Sequence, residues 1–289
     1  MKSAYLCMDV ESFYDTTCLQ KADLTPSPEY DCAEEVATFL DFLDAEGIKA
    51  TFFVNVSFLD RCEAFLSRAV ASGHEIALHS LKHVPPKDIS LDEFANDITE
   101  AKRILHERLG VTPVGYRAPC FGLNDEQMEV VKREFLYDSS ALNYREAKDA
   151  GTVTLSGYRR INDALLEKDG FYEYPVQQGK LLGKDFPISG GGYARLMFWH
   201  VVKKPIFRHI LNGDGYMFYV HPFEIARKPL PRVKGIAWYE RLYLRIGRRS
   251  YLQKIRQIIA KLKECGYEFK TMRECTESHE KGERYVDIG

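Results

Sequence analysis

The stretch AYLCMDVES, residues 4–12, runs from an unbroken apolar segment into two acids one residue apart. A short continuous apolar run fits a strand buried on both faces, as in a parallel sheet. Side chains at i and i+2 share one face of a strand, so Asp9 and Glu11 point the same way, and like charges placed so repel each other. Two arrangements offset that repulsion. Either the strand has ended and both acids are solvated, or they belong to a cation site with further ligands elsewhere in the chain.

Working outward, Val36, Phe39, Leu40 and Leu43 recur at helical spacing and stop at Gly47, which completes a β–α unit. ATFFV (50–54) and HEIAL (74–78) are predicted strands separated by a helix over 59–72. Phe94, Ile98, Ala101 and Leu105 mark the next helix, closed by Gly110, and VGYRA (114–118) follows as a strand. Asn124, with Gln127 three residues on, predicts a capping box. YEYPV (172–176), GYMFYV (215–220) and YEFKTM (267–272) are further strands, and Ser250 is expected to cap a helix carrying Leu252, Ile255, Ile259 and Leu262. Strands alternating with helices imply a parallel sheet. Seven predicted strands point to an α/β fold with a closed or nearly closed β/α barrel, and a doubly wound open sheet is the alternative.

A chain of 289 residues is long enough for such a barrel as one domain, and no internal repeat, low-complexity tract or linker divides it, so 1–289 reads as a single domain. Its 45% apolar and 28% charged residues are ordinary for a soluble globular protein, and a net charge of −2 argues against a general nucleic-acid binder. The six residues between Lys2 and Asp9 are too few for the apolar core of a secretory signal. Seven scattered cysteines without a C-x-x-C pair suggest reduced thiols. A cytoplasmic location is expected.

In parallel β/α folds, ligands bind where strands end. Asp9 and Glu11 lie at the end of the first predicted strand, His79 at the end of the third, Arg117 at the end of the fourth, and His221 directly after MFYV. Within HSLKH (79–83), one turn of helix would aim His79 and His83 at the same point. Two imidazoles and a carboxylate leave a coordination position open, the pattern of catalytic zinc sites. An arginine beside a carboxylate lowers its pKa and holds its rotamer. A histidine on the rim suits proton transfer near neutral pH.

MDVES, HSLKH, RAPCFG, FPISGGGYARL and YVHPFE, in this order, resemble the polysaccharide deacetylase superfamily (NodB homology domain). The first motif is most similar to the branch opening with Asp-Val-Asp or Asp-Val-Glu, which includes sugar N-deformylases of lipopolysaccharide biosynthesis. The resemblance spans about residues 4–272. It implies a distorted (β/α)7-type barrel and one divalent metal ion, usually zinc, with nickel, cobalt, iron or manganese as substitutes. It further implies Asp9 as general base, Glu11, His79 and His83 as metal ligands, Arg117 as the group orienting the base, and His221 as general acid. Cys120 stands where the family usually has an aromatic whose backbone N–H joins the oxyanion hole, and Phe121 follows it. The tryptophan motif carrying the carboxylate partner of the acid histidine is not found, and Asp185 is taken for that role.

SGGGYAR (189–195) reads either as a plain glycine turn or as a loop bringing backbone close to a ligand, with Tyr193 and Arg195 as binding candidates. Between Arg227 and Arg256, ten lysines and arginines face one acid, Glu240, with Trp238, Tyr239, Tyr243 and Tyr251 interleaved. This basic aromatic segment, about 227–256, is either a solvated face or an anion site for a nucleotide diphosphate, a polyprenyl phosphate or a lipid surface. The expected function is metal-dependent removal of an acetyl or formyl group from an amino sugar, nucleotide- or polyprenyl-phosphate-linked, in a surface-polysaccharide or O-antigen precursor at the inner face of the membrane. A metal-free amidohydrolase and a non-catalytic sugar-binding scaffold are the alternatives.

Overall fold

Strand β1 (Lys2–Val10) alternates strictly: Ala4, Leu6, Met8 and Val10 face the main hydrophobic core, while Tyr5 and Cys7 belong to a second cluster on the opposite face. Asp9 continues the second row, because side chains two apart share a face. β2 (Thr51–Val54) and β3 (Glu75–Leu78) repeat the split, with Phe53 and Ala77 on the inner side. The outer rows are covered by helices Glu34–Glu46, Leu59–Ala71 and Leu91–Leu109 through Val36, Phe39, Leu66, Ile98 and Leu105. Gly47 (φ 66°) and Gly110 (φ 68°) end the first and third of these helices in the left-handed conformation, as predicted.

The computed structural model describes residues 2–19, 22, 24–142, 150–190, 192–231 and 233–286. The remaining strands are β4 (Gly115–Tyr116), β5 (Tyr137–Asp138), β6 (Arg159–Asn162), β7 (Leu165–Lys168), β8 (Phe171–Glu173), β9 (Gln178–Leu181), β10 (Lys184–Pro187), β11 (Gly215–Val220) and β12 (Tyr267–Phe269). A parallel run in the order β11-β1-β2-β3-β4-β5-β8 continues into antiparallel β7 and β6. β12 pairs with Lys2–Ala4 at the start of β1, and β9 and β10 form a separate hairpin. Helix Met272–Val286 closes the end where strands begin: its first N–H groups donate to Thr51 Oγ1 (3.1 Å) and Glu75 Oε2 (2.9 Å).

The sheet curls into a half-barrel, left open between β8 and β11. Gln177 spans that gap with its side chain. Its Oε1 accepts from the Met217 N–H (2.8 Å), and its Nε2 donates to the carbonyls of Gly215 (3.0 Å) and Asp163 (2.8 Å). Further along β11, the Tyr219 N–H donates to the Ser189 carbonyl (2.8 Å), and Gly190 bridges to Tyr219.

Every predicted strand is present, and β5 to β7, β9 and β10 are additions. Two helix starts differ from expectation. Asn124 precedes helix Asp125–Glu134 but does not cap it, since its Oδ1 accepts from the Thr152 N–H instead (2.9 Å). Ser250 lies inside helix Arg248–Glu264, which begins after left-handed Gly247 (φ 78°).

Candidate active site

The ends of β1, β3, β4 and β11 converge on a cavity of about 230 Å³, lined by Asp9, Glu11, His79, His83 and His221. Each arrives by a different local device. Glu11 follows the last residue of β1, and the chain then turns at Ser12, whose N–H donates to Asp15 Oδ2 (2.9 Å). HSLKH is an irregular loop, which corrects the expected turn of helix. Ser80 takes a left-handed φ of 67° there, and its hydroxyl bonds Tyr116 Oη (2.6 Å), so His79 and His83 approach Glu11 along a bent backbone.

The Oε2 of Glu11 lies 2.7 Å from His83 Nε2 and 3.4 Å from His79 Nε2, and all three side chains are buried. Burial raises the Glu11 pKa, but the charges of His83 and His221 outweigh it and hold the carboxylate well below its usual range. Burial lowers the His83 pKa and is likewise outweighed by Glu11, leaving it raised. His79 Nδ1 is 2.7 Å from the Arg117 carbonyl, which makes Nδ1 the protonated nitrogen and leaves the Nε2 lone pair facing Glu11. The three donor atoms lie within 4.8 Å of one another, a set suited to a divalent cation.

Asp9 occupies a separate environment. Its Oδ1 accepts from Arg117 Nη1 (2.6 Å), and both groups are buried. The guanidinium also donates to the Ser139 carbonyl (3.1 Å) and Ser139 Oγ (2.8 Å) and lies 4.0 Å from the Phe53 ring centroid. The other oxygen, Oδ2, is 3.9 Å from His221 Nε2. The repulsion anticipated for two acids on one face is therefore relieved twice, by a guanidinium at one acid and by imidazoles at the other.

His221 is held by a residue that sequence reasoning missed. Glu224, three residues on in the same HPFE segment, places Oε2 3.1 Å from both Nδ1 and the backbone N of His221. Its Oε1 accepts from Arg195 Nε (3.2 Å), and both Glu224 and Arg195 are buried. Desolvation lowers the His221 pKa, but Glu11, Glu224 and Asp9 outweigh it and raise the imidazole to about 9. His221 keeps 17% of its side-chain surface, enough for contact with a ligand in the cavity.

Asp185, expected in the role of Glu224, is instead exposed on the β9–β10 hairpin and pairs with Lys180 (2.5 Å). Arg195 is buried rather than ligand-facing, with Nε and Nη1 donating to the Glu224 carboxylate and the Ile246 carbonyl and the Tyr243 ring against its guanidinium. Tyr193 packs edge-on against Phe186 (5.5 Å) and does not line the cavity. The glycine loop approaches protein rather than ligand: a Cβ on Gly190 would meet the Tyr219 carbonyl, and one on Gly192 the Tyr243 ring. Gly191 lies outside the described residues.

Cys120 and Phe121 do line the cavity, and both take left-handed backbone conformations (φ 55° and 54°). Consecutive non-glycine residues there are strained, and such strain persists where the surroundings fix it, often at functional sites. The Phe121 N–H is committed to the Ala118 carbonyl (3.0 Å). Asp15, Thr16 and Thr17 also line the wall without having been anticipated, and Tyr243, expected only within the basic aromatic segment, joins them.

The polysaccharide deacetylase family matches residues 24–136, and a domain of unknown function (DUF3473) matches 151–277. The first match contains His79, His83 and Arg117. Chitin deacetylase 1 of Cryptococcus neoformans is 26% identical over 117 residues, 37% of this chain and 25% of that protein. The peptidoglycan-N-acetylglucosamine deacetylase PgdA of Listeria monocytogenes is 27% identical over 115 residues, 40% of this chain and 25% of that protein. The chain thus spans about a quarter of the length of these curated relatives. A Mycobacterium smegmatis crystal structure assigned to the polysaccharide deacetylases shares the fold, with a TM-score of 0.60 and 21% identity over 96% of this chain and 90% of that one. The match over residues 24–136 holds the HSLKH and RAPCFG motifs, so this part of the chain is similar to the polysaccharide deacetylase family, and the curled parallel sheet has the fold of the Mycobacterium smegmatis structure.

Proposed function

We propose that this protein is a metal-dependent N-deacylase that removes an acetyl or formyl group from an amino sugar. The observation carrying the proposal is the juxtaposition, on one cavity, of the Glu11–His79–His83 donor set, the Arg117-held Asp9 and the Glu224-held His221. Two nitrogen donors and one oxygen favour zinc, with nickel, cobalt, iron or manganese as substitutes. Bound there, the ion supplies Lewis acidity toward the amide carbonyl and the attacking water.

The chain's own residues divide the proton traffic. Asp9 presents its second oxygen as the base that takes a proton from water, while Arg117 holds the first oxygen in place. His221 starts protonated, with Nε2 facing the cavity, and gives its proton to the departing amine. Phe121, Phe223 and Tyr243 offer apolar surface for the sugar ring. The named activities of the two relatives, on chitin and on peptidoglycan, support an N-acetylated amino sugar as the substrate class. We assign the substrate more narrowly to a surface-polysaccharide or O-antigen precursor on a nucleotide or polyprenyl phosphate, handled on the cytoplasmic side. The opening motif and the basic segment support that choice.

In the test, the purified protein is loaded with zinc and offered N-acetyl and N-formyl amino sugars, and metal content and free acetate or formate are measured. Release should require Asp9, and the His79→Ala, His83→Ala double variant should lose the metal and about 10³-fold or more of the rate. Full metal retention in that variant would falsify the ligand assignment.

A further inference from the structure

One wall of the catalytic cavity is the helix Trp238–Arg245, which contributes Tyr243. Tyr243 and Leu244 turn inward: Leu244 is buried, and the Tyr243 ring packs against Phe223 (6.1 Å) and under the Arg195 guanidinium (5.0 Å). The rest of the helix does the opposite. Trp238 is 71% exposed and Tyr239 61% exposed, and Leu242 and nearby Ile246 are exposed as well. Large aromatic and aliphatic side chains gathered on one short helix are unlike the scattered apolar residues of an ordinary surface.

Cations surround this face. Arg241 and Arg245 are on the helix, and Arg227, Lys234 and Arg249 lie close by in sequence, all exposed. Among the described residues none of these five forms an ion pair; Arg232 lies outside them. Glu240, the one acid between Arg227 and Arg256, spends its carboxylate on the Ala237 N–H (2.7 Å). With a net charge of −2, the whole protein has no general attraction for polyanions, so this cationic face is a local and oriented feature.

Tryptophan and tyrosine with aliphatic neighbours favour the boundary between headgroups and acyl chains, and arginines beside them favour anionic headgroups. We propose that the outer face of helix Trp238–Arg245 docks on an anionic lipid surface and brings the catalytic cavity to the headgroup layer. Tyr239 and Tyr243, four residues apart, are neighbours about 6 Å apart along the helix axis, so the docking face and the cavity wall adjoin on one element. The purpose of docking rests on the deacylase reading, whereas the docking itself does not.

The test uses the full chain without substrate, mixed with phosphatidylcholine vesicles or with vesicles that also contain phosphatidylglycerol. Co-sedimentation is expected with the anionic vesicles and should weaken as salt is raised. Trp238 emission should shift to the blue on binding; Trp199, the other tryptophan, is tied to Gln257 Oε1 (2.7 Å). The pairs Trp238→Ser/Tyr239→Ser and Arg241→Gln/Arg245→Gln should each weaken binding roughly tenfold or more. Asp9→Asn should bind vesicles like the unaltered protein, which separates failure of docking from failure of the deacylase reading. Three outcomes would overturn the proposal: no vesicle binding, binding unchanged by either pair, or a soluble dimer that Trp238→Ser converts to monomer.

Discussion

The chain up to Glu134 and the chain after Ala150 are built by different local rules. In the first part, parallel strands alternate with helices of two or more turns, and three of the four strands bring candidate site residues to their ends: Asp9 and Glu11 at β1, His79 at β3 and Arg117 at β4. In the second part, hairpins and helices of uneven length surround the strand β11, and His221 is held by Glu224 of its own segment, which Arg195 holds in turn from another. The Glu11–His79–His83 donor set and the Asp9–Arg117 pair sit at or just beyond the ends of parallel strands. The groups that orient His221, and Tyr243 on the outer wall, sit in the second part, outside the donor set.

This contrast breaks most easily at Arg117. Replacing it with Met leaves the buried Asp9 carboxylate without its cation, which should cost about 3–5 kcal/mol in urea unfolding, along with activity. Adding Asn at position 9 should restore most of the stability, because no buried charge is then left alone. If the double variant is no more stable than Arg117→Met, the pair is not the unit that the strand ends hold together.

A smaller effect belongs to the second part. Glu224→Gln removes a negative partner of His221, so the imidazole pKa should fall from its raised value. The acid must be protonated to act, so activity should be lost at lower pH on the alkaline side, with a roughly tenfold or greater loss of kcat. An alkaline limb that stays in place would mean that Glu224 serves packing alone. The smallest change is expected at Asp185, an exposed partner of Lys180 on a hairpin. Asp185→Ala should alter stability by no more than about 0.5 kcal/mol and leave the rate near its starting value. A large loss of rate would return Asp185 to the site and erase the contrast.

The same division governs how much was legible in the sequence. Strands β1, β2, β3 and β11 announce themselves through continuous apolar runs, and the residues just beyond them are the site. β5 spans only Tyr137–Asp138, too short for any period to register. The β6–β7–β8 ribbon has exposed positions in β6 that blur its alternation. Glu224 was in plain view within YVHPFE; spacing three residues after a histidine signals a reciprocal cap, and that signal could have found it. Asp185 illustrates the converse, since an acid of suitable type says nothing of position without a strand end to place it. The bend at HSLKH depends on Ser80 adopting a left-handed φ, which a residue with a side chain seldom does and no pattern encodes.

Gln177 has a consequence beyond closing a gap. β11 ends the sheet, and the outer edge of a terminal strand is a template on which another chain can add its own backbone. Two amide bonds from Gln177 and one carbonyl from Ser189 occupy that row of donors and acceptors from Gly215 to Tyr219. The strand leading to His221 is thereby kept from fibrous or edge-to-edge self-association, and one glutamine side chain does what a further strand does in a fully closed barrel.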